Sequence, residues 1–368
     1  MAALVLSGAG ARGAYEAGVL SVLLPPLVDE GHLEVVVGTS AGALNAALIA
    51  AYLPEGPVRA AEELVKAWSE VRPAAVHRRP VRSFIALAGW HLRHQRASAA
   101  ALLDSHPLGP TVSRLVGDFG QSVGAPAGLR SLAVIASSYG RSRAVAFVQG
   151  RAPGPGHDDE NLEYRSGRLT LDHLLASAAF PIAFPARWID DGTEAGGDWF
   201  LDGGVHLNTP LKPAVDLGAS QVLIVGATAL DDIRTLFPTS PPDLMDATGQ
   251  LLHAMAAGDT ARDLRTLRQA NRAPAPGQRR IRYCSVSPQD EELSQMADEV
   301  WPSGWWRVPA DLLRYRILGP FTRQGQRPGQ VLSYLCFDPR FLGPALEKGR
   351  RDAEAVLLKG GGRIPWET

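Results

Sequence analysis

Cysteine is almost missing from this chain. Only Cys284 and Cys336 occur in 368 residues, too few for a disulfide framework and without metal-ligand spacing, so the expected setting is a reducing, cytoplasmic one. Charge of one sign is not in excess either. With 37 basic and 38 acidic residues the formal net charge is -1, which excludes recruitment of nucleic acid or anionic membrane by bulk electrostatics. Long hydrophobic runs are absent as well: the longest, Ala41 to Leu53, is interrupted by Asn45 and falls short of the ~20 residues that cross a bilayer. The amino terminus has no charged stretch of the kind that opens a signal peptide, and Ala3 to Leu6 reads as a first strand. The expectation is a soluble protein able to touch a membrane surface but not to cross it.

What is present begins at Val35-Val36-Val37-Gly38-Thr39-Ser40-Ala41-Gly42, followed by an Ala/Leu-rich segment. A β-branched run, a G-x-S-x-G corner and a helix-forming stretch make strand, sharp turn and helix, the context in which a serine hydroxyl is presented at the top of a sheet. Ser40 is therefore a candidate nucleophile, and an ordinary helix N-cap is the competing reading.

Upstream, Ala3 to Leu6 leads into Gly8-Ala9-Gly10-Ala11-Arg12-Gly13 and a helix that Pro25-Pro26 is expected to stop. Residues 8 to 13 match G-x-G-x-x-G after a strand, the place of a dinucleotide-binding loop. That reading needs an acidic residue at the far end of the second strand. Asp29 and Glu30 precede that strand, at its wrong end. The same oriented amides serve equally well as an oxyanion hole.

Further along, residues 72 to 126 lose strand signals and include a basic, aromatic segment (Arg78, Arg79, Arg82, Phe84, Trp90, Arg93, Arg96) suited to a cap helix or a lipid surface. Leu129 to Ser137 and Ala144 to Gln149 read as a hairpin, and 151 to 160 as a loop. A helix over 170 to 179 breaks at Phe180-Pro181. Asp198 to Leu201 reads as a strand delivering Asp202 to Gly203-Gly204, where the rival reading is an Asx turn. Asn208-Thr209-Pro210-Leu211 opens another helix, and 221 to 227 is a parallel-type strand. Beyond 230 a long helix over 243 to 272, strands over 279 to 285 and 331 to 337, a Trp301/Trp305/Trp306 cluster and a terminal helix are expected.

A nucleophilic serine ordinarily takes histidine as its base. None of the nine histidines lies in a sharp motif; His206 and His253 follow Asp202 in the serine, acid, histidine order of α/β-hydrolases, but that fold places several strands before its nucleophile and here one βα unit precedes Ser40. The simpler constellation is Ser40 with Asp202 alone. It requires burial of the aspartate to raise its pKa and strong oxyanion stabilisation, a single donor being worth about 3 kcal/mol in comparable enzymes.

Gly8 to Gly13, Gly38 to Gly42, Ala176-Ser177-Ala178-Ala179-Phe180-Pro181 with Phe184-Pro185, and Asp202-Gly203-Gly204 stand in the order and approximate spacing of the motifs of patatin-like phospholipases. The chain resembles that family over about residues 1 to 227, and Phe337-Asp338-Pro339 with the terminal helix resembles its bacterial ending. The resemblance implies a three-layer α/β fold with a mostly parallel sheet wrapped by helices: a catalytic core over 1 to 227 with 72 to 126 as a helical cap-like insertion, and 228 to 368 as an extension packed on it. It implies a serine acyl hydrolase acting on lipid esters without a cofactor or metal, Ser40 attacking the carbonyl and Asp202 taking its proton. Gly8, Ala9, Gly10 and Ala41 would hold the oxyanion, Arg12 would fix the loop, and Gly13, Gly38, Gly42, Gly203 and Gly204 would complete the motifs. Ala9 and Gly204 are small departures from the family pattern. A catalytically silent lipid-binding module is the alternative of another class.

Overall fold

The computed structural model describes residues 1–77, 101, 103–117, 128–154, 156–181, 183–190, 196–229, 244–273, 280–289, 292–300 and 329–368. The basic aromatic segment of 78 to 96 and the Trp301/Trp305/Trp306 cluster lie outside the described residues.

The first strand, β1 (Ala2–Leu6), is buried throughout. It alternates faces, Leu4 and Leu6 meeting one apolar layer and Ala3 and Val5 the other, the period-2 pattern of a sheet covered on both sides. Helix α1 (Gly13–Asp29) follows, then β2 (Leu33–Thr39), α2 (Ala41–Tyr52) and α3 (Pro57–Glu70). Of the expected cap, one turn at Pro73–Val76 and α4 (Leu108–Val116) are described. Next come the hairpin β3 (Ser131–Ser138) and β4 (Arg143–Gly150), β5 (Leu162–Ser166), α5 (Leu171–Ser177), β6 (Arg187–Ile189), β7 (Asp198–Asp202), α6 (Leu211–Asp216) and β8 (Gln221–Val225). The remainder supplies α7 (Leu244–Arg272), β9 (Arg282–Val286), α8 (Glu292–Val300), α9 (Gly329–Leu335) and α10 (Pro339–Lys359).

The strands form one nine-stranded sheet in the order β5-β4-β3-β2-β1-β8-β9, with β7 also on β3 and β6 on β7. From β3 to β9 all neighbours are parallel, while β4 and β7 run antiparallel to β3. One detail of register positions the site. Strand β2 pairs with β3 as far as Thr39 opposite Ile135, and β7 continues along the same edge with Asp202 opposite Ala136. Where the chain leaves the sheet at Ser40, an aspartate enters it.

Two expectations are corrected. Pro25-Pro26 do not stop α1, which runs on to Asp29. The prolines fall in its last turns, and the fully buried Leu23, Leu24 and Leu27 on either side of them hold the helix against the core, outweighing the lost backbone bonds. Residues 331 to 337 form no strand: 331 to 335 belong to helix α9, and Cys336 and Phe337 follow it outside any strand or helix; a short apolar run fits a buried strand or a buried helix equally until its neighbours decide. Strands β5 and β6 have no counterpart among the elements expected from the sequence. Among the described residues no helix is long and apolar enough to cross a membrane.

Candidate active site

Ser40 sits at the corner between β2 and α2 with φ 55° and ψ -123°, a strained conformation that costs about 1–3 kcal/mol and persists only where the surroundings enforce it. Close packing enforces it. A Cβ on Gly38 would stand 2.3 Å from the Gly42 carbonyl oxygen, and one on Gly42 would stand 2.5 Å from that of Ser7. The corner is further fixed by Ser177, whose Oγ accepts the Ser40 N–H at 2.8 Å and donates to the Ile135 carbonyl at 2.5 Å.

The Ser40 hydroxyl donates to Asp202 Oδ2 at 2.5 Å. The other carboxylate oxygen, Oδ1, accepts the Gly204 N–H at 2.8 Å, which turns Oδ2 toward the serine. The Asp202 N–H is in turn held by the Ala179 carbonyl at 2.9 Å. Burial pushes the Asp202 carboxyl up to about 7, against the opposing pull of its hydrogen bonds from Ser40 and Gly204. It is thus poised near neutrality, where an aspartate in water is a far weaker base.

A narrow cleft opens over this pair. It is lined on its polar side by Gly8, Ala9, Gly10, Ser40, Asp202, Gly204 and Asn208, and on its apolar side by residues of α7 and α9 with Phe180. Among the described residues no histidine lines it: His206 is exposed and His253 is half-buried on α7 beside the lining residue Leu252. Asp29 and Glu30, exposed at the end of α1, lie at the opposite end of β2 from Ser40.

The glycine loop differs from expectation at one position. Gly8, expected among the oxyanion donors, spends its N–H on the Asn208 carbonyl at 3.0 Å. The N–H groups of Ala9 and Gly10, and that of Ala41 in the first turn of α2, have no hydrogen-bond partner among the described residues; such unsatisfied donors at a helix start are available to an anion.

Arg12 does not enter the cleft lining. Its buried guanidinium donates to Ser333 Oγ (2.8 and 3.0 Å), Ser294 Oγ (3.0 Å), Thr228 Oγ1 (3.2 Å) and the Ala227 carbonyl (3.2 Å), with the Tyr334 ring 4.1 Å away. Burial lowers its pKa from the ordinary value. The arginine therefore clamps the glycine loop to α8 and α9. Gly13 lies where a Cβ would meet the Trp68 ring at 2.5 Å, and Gly203 where one would meet the Ile135 carbonyl at 2.4 Å.

The tasks of Ser177 at the corner and of Asn208 and the α7 and α9 residues in the cleft wall are not among the sequence expectations. The Ser-Ala-Ala-Phe-Pro block was a usable signal for the first. No motif marks Leu252, Met255, Tyr334 or Leu335, which reach the cleft only through the fold.

A helix-wrapped, mostly parallel sheet with a serine at a strand–helix corner bonded directly to an aspartate defines a class of α/β proteins distinct from those with a histidine between the two. The chain belongs to the patatin-like phospholipase family, whose family model matches residues 4–215. It is 30% identical over 211 residues, 56% of this chain and 53% of the other, to a protein named cGAMP-activated phospholipase from Pseudomonas aeruginosa (strain BWHPSA011 / Pa011); the chain thus spans about half the length of that relative. Among solved structures, VipD from Legionella pneumophila aligns over 97% of this chain and 66% of its own at 13% identity, with a TM-score of 0.33.

Proposed function

We propose that this protein hydrolyses acyl esters of lipids through a Ser40–Asp202 dyad. The observation that carries the reading is the 2.5 Å hydrogen bond from the strained Ser40 to Asp202. As Ser40 Oγ attacks the ester carbonyl, Asp202 Oδ2 takes its proton. The carbonyl oxygen becomes an oxyanion held by the amides of Ala9, Gly10 and Ala41, with Gly8 fixing the loop through Asn208. Collapse of this intermediate breaks the ester bond, and the proton on Asp202 passes to the departing alcohol. Water then attacks the acyl-serine, giving its proton to Asp202, and collapse returns that proton to Ser40 Oγ as the fatty acid leaves. No histidine is required, because an aspartate held near neutrality already matches the working pH.

The apolar wall of Phe180, Leu252, Met255 and Leu335 supports an acyl chain as the group bound beside the serine. Contact with a lipid surface follows from such a substrate and is part of the proposal. Labelling of Ser40 by a fluorophosphonate, together with mass spectrometry of products from a mixed lipid panel and a Ser40→Ala control, tests the reading. A wild-type protein that neither labels nor releases fatty acid leaves the silent lipid-binding module as the better account.

A further inference from the structure

A carboxyl group that the proposed reaction does not use lies behind the glycine loop. Glu16, in the first turn of α1, is fully buried, and no cation stands within ion-pair distance of it among the described residues. Its Oε2 accepts Asn45 Nδ2 at 2.9 Å, and its Oε1 accepts the Ser7 hydroxyl at 3.2 Å. The Asn45 amide cannot be reversed, because its Oδ1 already takes the Trp68 indole N–H at 2.8 Å while Nδ2 also faces the Gly13 carbonyl at 3.3 Å. Ser7 Oγ in turn accepts the N–H of Ala227 at 3.1 Å. The Asn45 amide and the Ser7 hydroxyl thus both donate to the carboxyl.

The two partners of Glu16 belong to the two backbone segments that carry the proposed oxyanion donors. Ser7 is the residue before Gly8-Ala9-Gly10. Asn45 lies one turn into α2, beyond Ser40 and Ala41. The far end of the loop is fixed separately at Arg12, and Ala227 joins both anchors, its N–H donating to Ser7 Oγ and its carbonyl accepting from Arg12. Filling the volume alone does not call for an acid here. Burial without a cation penalises the ionised group and pushes it up to about 8 against the pull of Asn45 and Ser7, so an apolar side chain would fill the space at less cost.

We propose that Glu16 is a positioning residue that sets the spacing between the Ala9 and Gly10 amides and the Ser40–Ala41 corner. This rests on the acyl-hydrolase reading. An oxyanion hole acts on the transition state and not on ground-state binding, so loosening the loop lowers kcat and leaves KM in place.

Glu16→Gln keeps the shape, but with its Oε1 on Asn45 Nδ2 its NH2 faces Ser7 Oγ, which must accept instead of donate, so the Ser7 proton loses its carboxyl partner. The expected result, in the full chain, is a fall in kcat for p-nitrophenyl butyrate of about 10-fold or more, with KM nearly unchanged, an unaltered circular dichroism spectrum, and faster amide exchange in peptides covering residues 7–13 and 41–47. Ser7→Ala moves kcat in the same direction, and the double variant loses no more than the worse single one. Should Glu16→Gln fail to fold, Ser7→Ala carries the same kcat-against-KM test. Wild-type kcat in a folded variant, or a rise in KM with kcat intact, overturns the proposal. A wild-type protein that neither labels with fluorophosphonate nor hydrolyses overturns the acyl-hydrolase reading instead, and amide exchange then decides Glu16 alone: unchanged exchange in Glu16→Gln removes its positioning role.

Discussion

Ser40 and Asp202 meet directly, 2.5 Å apart, because β7 takes up the edge of β3 at Ala136, one residue beyond where β2 leaves it at Ile135. The two groups come from segments 162 residues apart in the chain, yet successive positions of one strand edge bring them together.

Substitution at this junction separates the dyad from a histidine triad. Ser40→Ala and Asp202→Asn are each expected to reduce hydrolysis of a p-nitrophenyl ester by about 10³-fold or more, with unchanged circular dichroism. His206→Ala and His253→Ala are expected to keep wild-type activity. A folded, fully active Asp202→Asn would remove the dyad, and loss of activity in folded His253→Ala would restore a histidine.

On the proposed dyad, the Asp202 carboxyl pushed up to about 7 is expected to set the acid limb of the pH profile. The base form is the ionised one, so kcat/KM for an uncharged ester should rise with pH and reach half its plateau near pH 7. Rates measured from pH 4 to 9 check this. A plateau extending unbroken to pH 5 would mean that the base is an aspartate of ordinary pKa, about 3.9.

The same burial makes a stability prediction. A carboxyl whose folded pKa is raised binds more protons in the native than in the unfolded state between its unfolded value and about 7, so its contribution declines as pH rises through that window. Asp202→Asn escapes the decline. Its melting temperature relative to wild type should therefore increase from pH 4 to pH 8, by the equivalent of a few kcal/mol on the order of the shift. A gap independent of pH would place the carboxyl in a wetter setting.

Close packing at the corner predicts a contrast between glycines. Gly42→Ala places a Cβ 2.5 Å from the Ser7 carbonyl oxygen and 2.6 Å from that of Leu6, whereas among the described residues nothing lies within 4 Å of a Cβ at Gly343 in α10. The first is expected to cost more than about 3 kcal/mol or to prevent folding, and the second to be neutral or to stabilise by up to about 1 kcal/mol. Urea denaturation of both variants measures the difference.

Arg12→Lys tests the clamp between the glycine loop and the carboxy-terminal helices. Three ammonium donors cannot replace a fork that reaches Ser294, Ser333, Thr228 and Ala227 together. Unfolding free energy should fall by about 1–3 kcal/mol, and ester hydrolysis should fall with it because Tyr334 and Leu335 of α9 line the cleft. Retained stability and activity would show that the helices dock without the arginine.

The amino-acid sequence by itself determined the local pieces: the strand–corner–helix around Ser40, the glycine loop after β1, the hairpin of β3 and β4, and a strand ending in Asp202. Each rests on short-range rules of periodicity and turn chemistry that a few residues satisfy alone. Tertiary structure decided what those rules leave open. The continuation of α1 through Pro25-Pro26 and the helical state of 331 to 335 depend on burial against distant elements. The occupation of the Gly8 N–H by Asn208, the partnership of Arg12 with α8 and α9, and the convergence of Ser7 and Asn45 on Glu16 depend on sheet order and register. Those are properties of long-range pairing, and no local spacing encodes them.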